Sequence, residues 1–217
     1  GGPIFTSKDL VHWGLSSYVF QTLNDHSKYD LIDGTVYGRG QWASSIAKRG
    51  DDFYVLFSPN DEPFKSYVYT TKNPETEPWK LVSRLPHFHD ASLFFDNVYV
   101  FSGNKITELQ PDLKTNKKEG LNTTIFERDS SETGLLEGNQ VIKYQGKYYM
   151  MMISWPQNGN RRQVVYKADQ IAGPYEKKVI LEDAFLGFPY AAQGALIDDE
   201  KGNWYAMVFQ DRNGVGR

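Results

Sequence analysis

Gly134-Leu135-Leu136-Glu137-Gly138-Asn139-Gln140-Val141-Ile142-Lys143-Tyr144 carries a glutamate between an apolar pair and a glycine, at the start of a predicted strand. Apolar neighbours disfavour the charged form of a carboxyl, which suits a general acid near neutral pH. A glutamate before a glycine is also an ordinary turn residue. The strand leads into the turn Gln145-Gly146 and then into Tyr148-Tyr149-Met150-Met151, so its turn chemistry predicts a β-hairpin.

Hairpins of this kind recur along the chain and alternate with a second type of strand pair. The first type lies at 42–57, 90–101, 140–151 and 193–209, and the second at 3–20, 66–82 and 163–181. From Trp42 through Asp90 and Glu137 to Gln193, the successive spacings are 48, 47 and 56 residues. Two hairpins in roughly 40–50 residues make one four-stranded blade of a β-propeller.

The repeat predicts an all-β propeller of four-stranded antiparallel blades, and this chain covers about four of them. It holds the outer half of one blade, three full blades and the inner half of another. The segment 110–120 has a weak helical pattern and is interpreted as a loop. We expect residues 1–217 to be a single propeller domain truncated at both ends, since half-blades leave sheet edges unpaired. The missing strands would belong to the same chain or to a complementary fragment.

Composition excludes several classes of partner. The 217 residues have a formal net charge of −3 and no basic run, which argues against nucleic acid and anionic membranes. No apolar run approaches the roughly 18–20 residues of a membrane span. Because there is no cysteine, disulfide and thiolate chemistry are excluded. The sequon Asn122-Thr123-Thr124 is compatible with secretion from a eukaryote.

Equivalent positions near the starts of the inner strands carry different polar groups. They hold Trp42, Asp90, Glu137 and Gln193. Inner strands of a propeller line one axis, so these side chains are predicted to converge on one pocket. Two carboxyls, an indole and an amide are the groups that glycoside hydrolysis uses: the carboxyls for acid–base chemistry, the aromatic face for sugar C–H groups and the amide for hydroxyls.

Each of these side chains also has a structural interpretation. Trp42 could be a core residue, and Asp90 could cap a turn. Trp155 fits a pocket wall and a core position equally well. Gln193 and Arg212 are predicted to contact substrate hydroxyls.

The histidines and arginines near these positions have other interpretations. His87 and His89 could share a metal ion, but no third ligand lies nearby in the sequence, and we predict no metal there. A hydrogen-bonding or substrate-pocket role is predicted for His89. Arg161-Arg162 is interpreted as a pair of loop charges.

A family resemblance covers essentially the whole chain. The ordered residues that carry it are Pro3-Ile4-Phe5-Thr6-Ser7-Lys8-Asp9-Leu10-Val11-His12-Trp13, Gly40-Gln41-Trp42-Ala43-Ser44-Ser45, His87-Phe88-His89-Asp90-Ala91-Ser92-Leu93-Phe94-Phe95-Asp96, Leu136-Glu137-Gly138, Ala192-Gln193-Gly194, Trp204-Tyr205-Ala206-Met207-Val208-Phe209-Gln210-Asp211 and Val215-Gly216-Arg217. With these motifs the chain resembles glycoside hydrolase family 43, the five-bladed β-propeller arabinofuranosidases and xylosidases.

The resemblance implies an inverting mechanism with three carboxyls. By motif, Glu137 would be the general acid, and Asp90 would orient it and tune its proton affinity. The family's general-base aspartate lies upstream of the segment matching 3–13 and is absent from this sequence; Asp9 belongs to the matching turn and does not replace it. The resemblance requires no cofactor, although it implies that a structural calcium ion can occupy the central channel.

The expected function is removal of terminal or side-chain arabinofuranosyl or xylosyl units from hemicellulose. The expected substrates are arabinoxylan, arabinan or xylo-oligosaccharide. Such an enzyme is expected to be extracellular, or cytoplasmic in a bacterium that imports oligosaccharides. The alternative is a propeller that binds carbohydrate or protein without turnover.

Overall fold

The computed structural model describes residues 1–60, 65–130, 132, 134–157, 159–182, 191–199 and 201–210. In that part of the chain the regular structure is almost entirely strand, with a single 3₁₀ turn at Ser27–Asp30. The strands are β1 Pro3–Ser7, β2 Trp13–Tyr18, β3 Gln41–Arg49, β4 Asp52–Pro59, β5 Ser66–Thr71, β6 Lys80–Leu85, β7 Ser92–Phe94, β8 Tyr99–Ser102, β9 Lys105–Glu108, β10 Asn122–Thr124, β11 Leu135–Tyr144, β12 Lys147–Trp155, β13 Arg162–Ala168, β14 Glu176–Leu181, β15 Ala191–Asp198 and β16 Trp204–Gln210.

These strands form separate antiparallel sheets in the predicted pattern. Three are four-stranded meanders, β3 to β6, β7 to β10 and β11 to β14, which we call the first, second and third full blades. The pairs β1–β2 and β15–β16 are two-stranded half-blades. The predicted propeller blades are therefore confirmed. The segment 110–120 is a loop as expected, with one isolated bridge between Leu109 and Asn116.

Strand β4 shows why the sequence packs sheet against sheet. Tyr54 and Leu56 contact the second blade, whereas Val55 and Phe57 contact the β1–β2 half-blade. Successive side chains of a strand point to opposite faces, so an unbroken apolar run is required where both faces are buried. The cores of this protein therefore lie between blades rather than within one central cluster.

The inner strands of neighbouring blades lie side by side around one axis. Strand β3 contacts β7, β7 contacts β11, and β11 contacts β15. Their later residues, 46–48, 93–95, 140–144 and 196–198, line a cavity of about 890 Å³. The described charged side chains in this lining are Lys48, Lys143 and Asp198. Ca²⁺ takes about six to eight oxygen ligands, and these side chains do not fit it because two of the three are lysines. The structural calcium ion expected in the central channel stays a prediction.

Three of the inner strands carry a β-bulge near the start. The pairing shifts between Gln41 and Ser44 in β3, between Glu137 and Gln140 in β11, and between Ala192 and Gly194 in β15. A bulge bends its strand and re-aims the neighbouring side chains. Trp42, Glu137 and Gln193 lie in or at the edge of these bulges, at the end of each strand opposite to the cavity.

In the described residues, no helix has the length and apolarity that crossing a membrane requires.

Two leucines of the first full blade test the assignment of the core between blades. Leu56 on β4 is fully buried, and Leu81 on β6 is 36% exposed. We expect Leu56→Ala to lower the free energy of unfolding by about 2–5 kcal/mol, because it removes buried methyl groups and leaves a cavity between two blades. Urea denaturation of the full protein measures this loss. Leu81→Ala is the matched control and should cost less than about 1 kcal/mol; equal losses would contradict the packing described here.

Candidate active site

Residues from two blades meet at the start of the inner strands. His89 Nε2 lies 2.7 Å from Glu137 Oε2, within hydrogen-bond distance. One polar atom from each of His89, Asp90 and Glu137, a ring nitrogen or a carboxylate oxygen, lies within 4.8 Å of the corresponding atoms of the other two. His89 and Asp90 precede β7 of the second blade, whereas Glu137 lies on β11 of the third. The two carboxyls predicted to converge are therefore close together.

The backbone at Asp90 adopts a conformation that is uncommon for a residue with a side chain. Its φ is 43°, in the left-handed region. Aspartate tolerates this region better than most residues, but such a position still costs on the order of 1–3 kcal/mol. The turn carries the carboxyl into the interior just before β7 begins. Strain of this kind concentrates at functional sites.

Burial and a neighbouring negative charge together control the protonation of Asp90. The residue is 5% exposed, and burial followed by the charge of Glu137 raises the pKa of Asp90 to about 6. His89 acts in the opposite direction. Oδ1 of Asp90 is buried and has no hydrogen-bond partner among the described residues. Two carboxyls this close do not ionise together readily, so the pair keeps a proton at pH values where an isolated aspartate has lost it.

Gln193 lies against the backbone next to Glu137. A Cβ atom added at Gly138 would lie 2.6 Å from Cγ and Cδ of Gln193 and 2.8 Å from its Nε2. Gly138 also has a φ of 72°, so glycine is favoured there on both grounds. Gln193, the last of the four inner-strand positions in chain order, thus lies beside the cluster. The role of Gln193 as a ligand for sugar hydroxyls stays a prediction.

Both tryptophans proposed for the pocket are partly exposed. Trp42 is 42% and Trp155 43% exposed, so neither is a core residue. The indole N–H of Trp42 donates to the carbonyl oxygen of Gly38 at 3.2 Å, and that of Trp155 donates to Gly159 at 3.0 Å. Trp42 is therefore tied to the loop before β3, and Trp155 stands across β11–β12 from Leu135. Their contacts with sugar remain predictions.

Comparisons with known proteins identify the family. Residues 1–217 match the family profile described as Glycosyl hydrolases family 43. This chain belongs to glycoside hydrolase family 43. The resemblance read from the motifs is confirmed, and so is the propeller fold.

Individual relatives extend this finding. A putative beta-xylosidase of Xylanibacter ruminicola is 30% identical over all of this chain and 42% of its own length. A "Xylosidase/arabinosidase" of Butyrivibrio fibrisolvens is 25% identical over all of the chain and 46% of its own. A solved structure, "Bifunctional GH43-CE" of Bacteroides eggerthii, has 39% identity and a TM-score of 0.85 over 96% of this chain and 28% of that one. The chain thus spans less than half the length of these relatives.

In this family 43 chain, His89, Asp90 and Glu137 are also residue types that can hold a metal ion. Two carboxyls and an imidazole can bind a divalent ion. The direct contact between His89 and Glu137 occupies atoms that such an ion would need. The rings of His87 and His89 are 6.5 Å apart and tilted by 38°. This geometry favours an acid–base cluster, and the absence of a metal stays a prediction, as does the role of Arg212, which lies outside the described residues.

Sequence reasoning missed the buried ion network behind the Glu137 strand. Glu132, with a fully buried side chain, accepts from Arg162 at 2.9 Å and from Lys177 at 2.8 Å. Arg162 was interpreted as a loop charge, which is wrong: it begins β13 and is buried. Arg128 donates to the carbonyl oxygens of Gly134 and Leu136, just before Glu137. No spacing pattern in the sequence indicates these pairs, because their members come from separate loops and strands.

The raised pKa of Asp90 makes a testable contribution to stability. An acid whose pKa is higher in the folded than in the unfolded state destabilises the fold progressively as pH rises from its ordinary value of 3.8 to about 6. Asp90→Asn removes this penalty. We expect the stability of the variant, relative to the unmodified protein, to increase by about 2 kcal/mol between pH 4.5 and pH 7.5. Urea denaturation at the two pH values measures it.

Asp96 provides the matched control for that experiment. Hydrogen bonds from Lys143 and Tyr148 lower the pKa of Asp96. The stabilising contribution of the ionised Asp96 side chain is lost only as pH falls below 3.8, the ordinary pKa of an aspartate. Asp96→Asn should therefore destabilise the protein similarly at pH 4.5 and pH 7.5. If Asp90→Asn behaves in the same way, its carboxyl is not perturbed as described.

Proposed function

We propose that the protein containing this chain is an inverting glycoside hydrolase that removes xylosyl or arabinofuranosyl units from hemicellulose. Glu137 is the general acid, and Asp90 is the neighbouring carboxyl that modulates and orients it. The observation that carries this proposal is the close approach of His89, Asp90 and Glu137 at one end of the inner strands, in a family 43 chain.

The separation of the two carboxyls supports this division of roles. In an inverting glycosidase the acid and the base are about 6.5–9.5 Å apart, which leaves room for a water molecule. Asp90 and Glu137 have carboxyl oxygens within 4.8 Å, too close for such a pair. Asp90 therefore fits a partner that modulates the acid. The base that activates water is a further carboxylate, which this cluster does not supply.

The chemistry assigned to the cluster is protonation of the leaving group. As the glycosidic C–O bond breaks, Glu137 gives its proton to the departing oxygen, while water adds to the opposite face of the sugar and gives a proton to the further carboxylate that acts as the base. His89 contacts the carboxyl of Glu137 and fixes its direction, in addition to the substrate contact predicted from the sequence.

Substrate binding is assigned to the side chains around the cluster. Trp42 and Trp155 are partly exposed, and aromatic surface packs well against sugar C–H groups. The guanidinium of Arg161 already lies over one face of the Trp155 ring, 5.2 Å from its centroid, so the other face is the one proposed for sugar. Gln193 offers an amide. Oδ1 of Asp90, which has no hydrogen-bond partner in the part of the chain that the structure describes, offers a buried acceptor for a sugar hydroxyl. Arg212 is proposed as a further hydroxyl ligand.

Substrate class and location are proposed from the relatives. Their names include both xylosidase and arabinosidase, so we propose xylan-derived chains carrying either pentose, with arabinan as a further candidate. Polymers of this kind lie outside cells, which favours secretion. No comparison favours the alternative of a propeller that only binds carbohydrate or protein.

The acid assignment is tested with two variants of the full protein. We expect Glu137→Gln to lower kcat on a natural xylo-oligosaccharide by about 10²–10⁴-fold, because the amide cannot donate the proton. The loss should be smaller on a nitrophenyl glycoside, whose leaving group needs less protonation. Asp90→Asn should also reduce kcat. Steady-state kinetics on nitrophenyl β-xyloside and α-arabinofuranoside measure these effects and identify the pentose.

Glu119→Gln serves as the control, since Glu119 is exposed and remote in sequence from the cluster. Its kcat and KM should be unchanged. Full activity of Glu137→Gln on the oligosaccharide would overturn the proposal. Binding of oligosaccharide without turnover by the unmodified protein would support the binding-only alternative instead.

The contact between Trp42 and sugar is tested by its effect on binding. Trp42→Ala should raise KM about 10-fold or more, because stacking on an aromatic face is lost, whereas Trp42→Phe should recover most of the affinity. Kinetics on the same oligosaccharide measure the difference. An unchanged KM in Trp42→Ala would remove this residue from the binding site.

A further inference from the structure

We infer that Asn139, together with the Ser102–Gly103 turn, is an inter-blade clasp that positions Glu137 against His89 and Asp90. The inference rests on the proposed role of Glu137 as the general acid. It assigns a function to three residues that touch neither substrate nor reacting atoms. They act through the positions of the residues that do.

Asn139 joins the third blade to the second through both of its amide atoms. Its Oδ1 accepts the backbone N–H of Gly103 at 2.7 Å, and its Nδ2 donates to the carbonyl oxygen of the same residue at 2.8 Å. Nδ2 also lies 3.0 Å from Sδ of Met150. The side chain is completely buried. It thus pairs with both backbone groups of one residue, as a residue of a neighbouring antiparallel strand would, at a place where two separate sheets meet.

The location of Asn139 in the β11 bulge is what connects it to the acid. Gly138 and Asn139 lie between the paired residues Glu137 and Gln140, where the register shifts. A bulge leaves residues without ladder partners and free to bend. The two hydrogen bonds between the side-chain amide of Asn139 and Gly103 fix Asn139, and so restrain the backbone two residues beyond Glu137.

The other half of the clasp holds the backbone next to Asp90. Oγ of Ser102 donates to the carbonyl oxygen of His89 at 2.7 Å. Ser102 ends β8 and is followed at once by Gly103, whose φ of 57° makes the turn into β9. A single turn of the second blade therefore binds His89 on one side and Asn139 on the other.

These contacts form a closed ring. It runs from Glu137 along the chain to Asn139, across to Gly103, back to Ser102, across to His89, and from His89 Nε2 to Glu137 again. Every bond across the ring is between 2.7 and 2.8 Å. A ring of this kind fixes the separation of its members better than one contact alone. Misplacement of a reacting group by about 1 Å can cost about 100-fold in rate.

The test compares leaving groups in the full protein. We expect Asn139→Ala to lower kcat on a xylo-oligosaccharide by about 10–100-fold with little change in KM. On a nitrophenyl xyloside, which depends less on protonation, the loss should be below about 3-fold. In a Glu137→Gln background, Asn139→Ala should cause little further loss, because the acid it positions is already absent.

Two further variants keep the inference testable if Asn139→Ala folds poorly. Ser102→Ala removes the hydroxyl that holds His89 and should show the same dependence on leaving group, to a smaller extent. Asn104→Ala is the matched control: its amide donates to Phe126 at 3.0 Å, beside the same turn but away from the cluster. It should leave kcat unchanged on both substrates.

The outcomes separate this inference from the proposed function. If Glu137→Gln loses activity but Asn139→Ala and Ser102→Ala lose equally on both substrates, or lose nothing, the clasp does not position the acid. If Glu137→Gln keeps full activity, the proposed function itself fails. Losses confined to the oligosaccharide and absent in the Glu137→Gln background support the inference.

Discussion

A contact between two sheets is the constraint on which the site depends. His89 and Glu137 belong to different blades, and their 2.7 Å contact exists only if those blades pack at a fixed distance and angle. The apolar residues between the blades set that distance, since Phe101 of β8 and Leu136 of β11 lie in one buried cluster. The side chains that carry chemistry are thus held by the packing that stabilises the fold. In this architecture the core and the site cannot be altered independently at the interface between blades.

The same interface explains why the pKa of Asp90 is raised. Placing Asp90 in a left-handed turn and burying its carboxyl beside another negative charge are both unfavourable. Proteins keep such arrangements where they serve a reaction, and surrounding contacts must then compensate. Around the same strands, Arg162 and Lys177 contact the buried Glu132, and Arg128 contacts the backbone before Glu137.

The sequence was informative where its pattern is periodic. Alternating apolar residues with turns at regular spacing predicted the inner hairpins and the outer strand pairs at 3–20, 66–82 and 163–181, but not the β9–β10 pair of the second blade. Equivalent places in the repeat gave Asp90, Glu137 and Gln193 as neighbours. Residues joined across loops left no such signal. Arg162 reads as half of an exposed basic pair, yet it is buried on Glu132, because an ion pair depends on spatial proximity and not on spacing along the chain. Asn139 carries no such signal either, and only the meeting of two blades shows its partner to be Gly103.

The bulges at the starts of the inner strands allow the two ends of each bulged strand to change independently during evolution. A bulge takes up extra residues locally, while the pairing beyond it keeps its register. Beyond the β11 bulge, Gln140 to Tyr144 pair regularly and line the central cavity. Insertions and deletions at the bulge end can therefore alter which groups face a ligand without rotating the residues that hold the blades together. One scaffold can in this way accumulate different specificities while its packing stays constant.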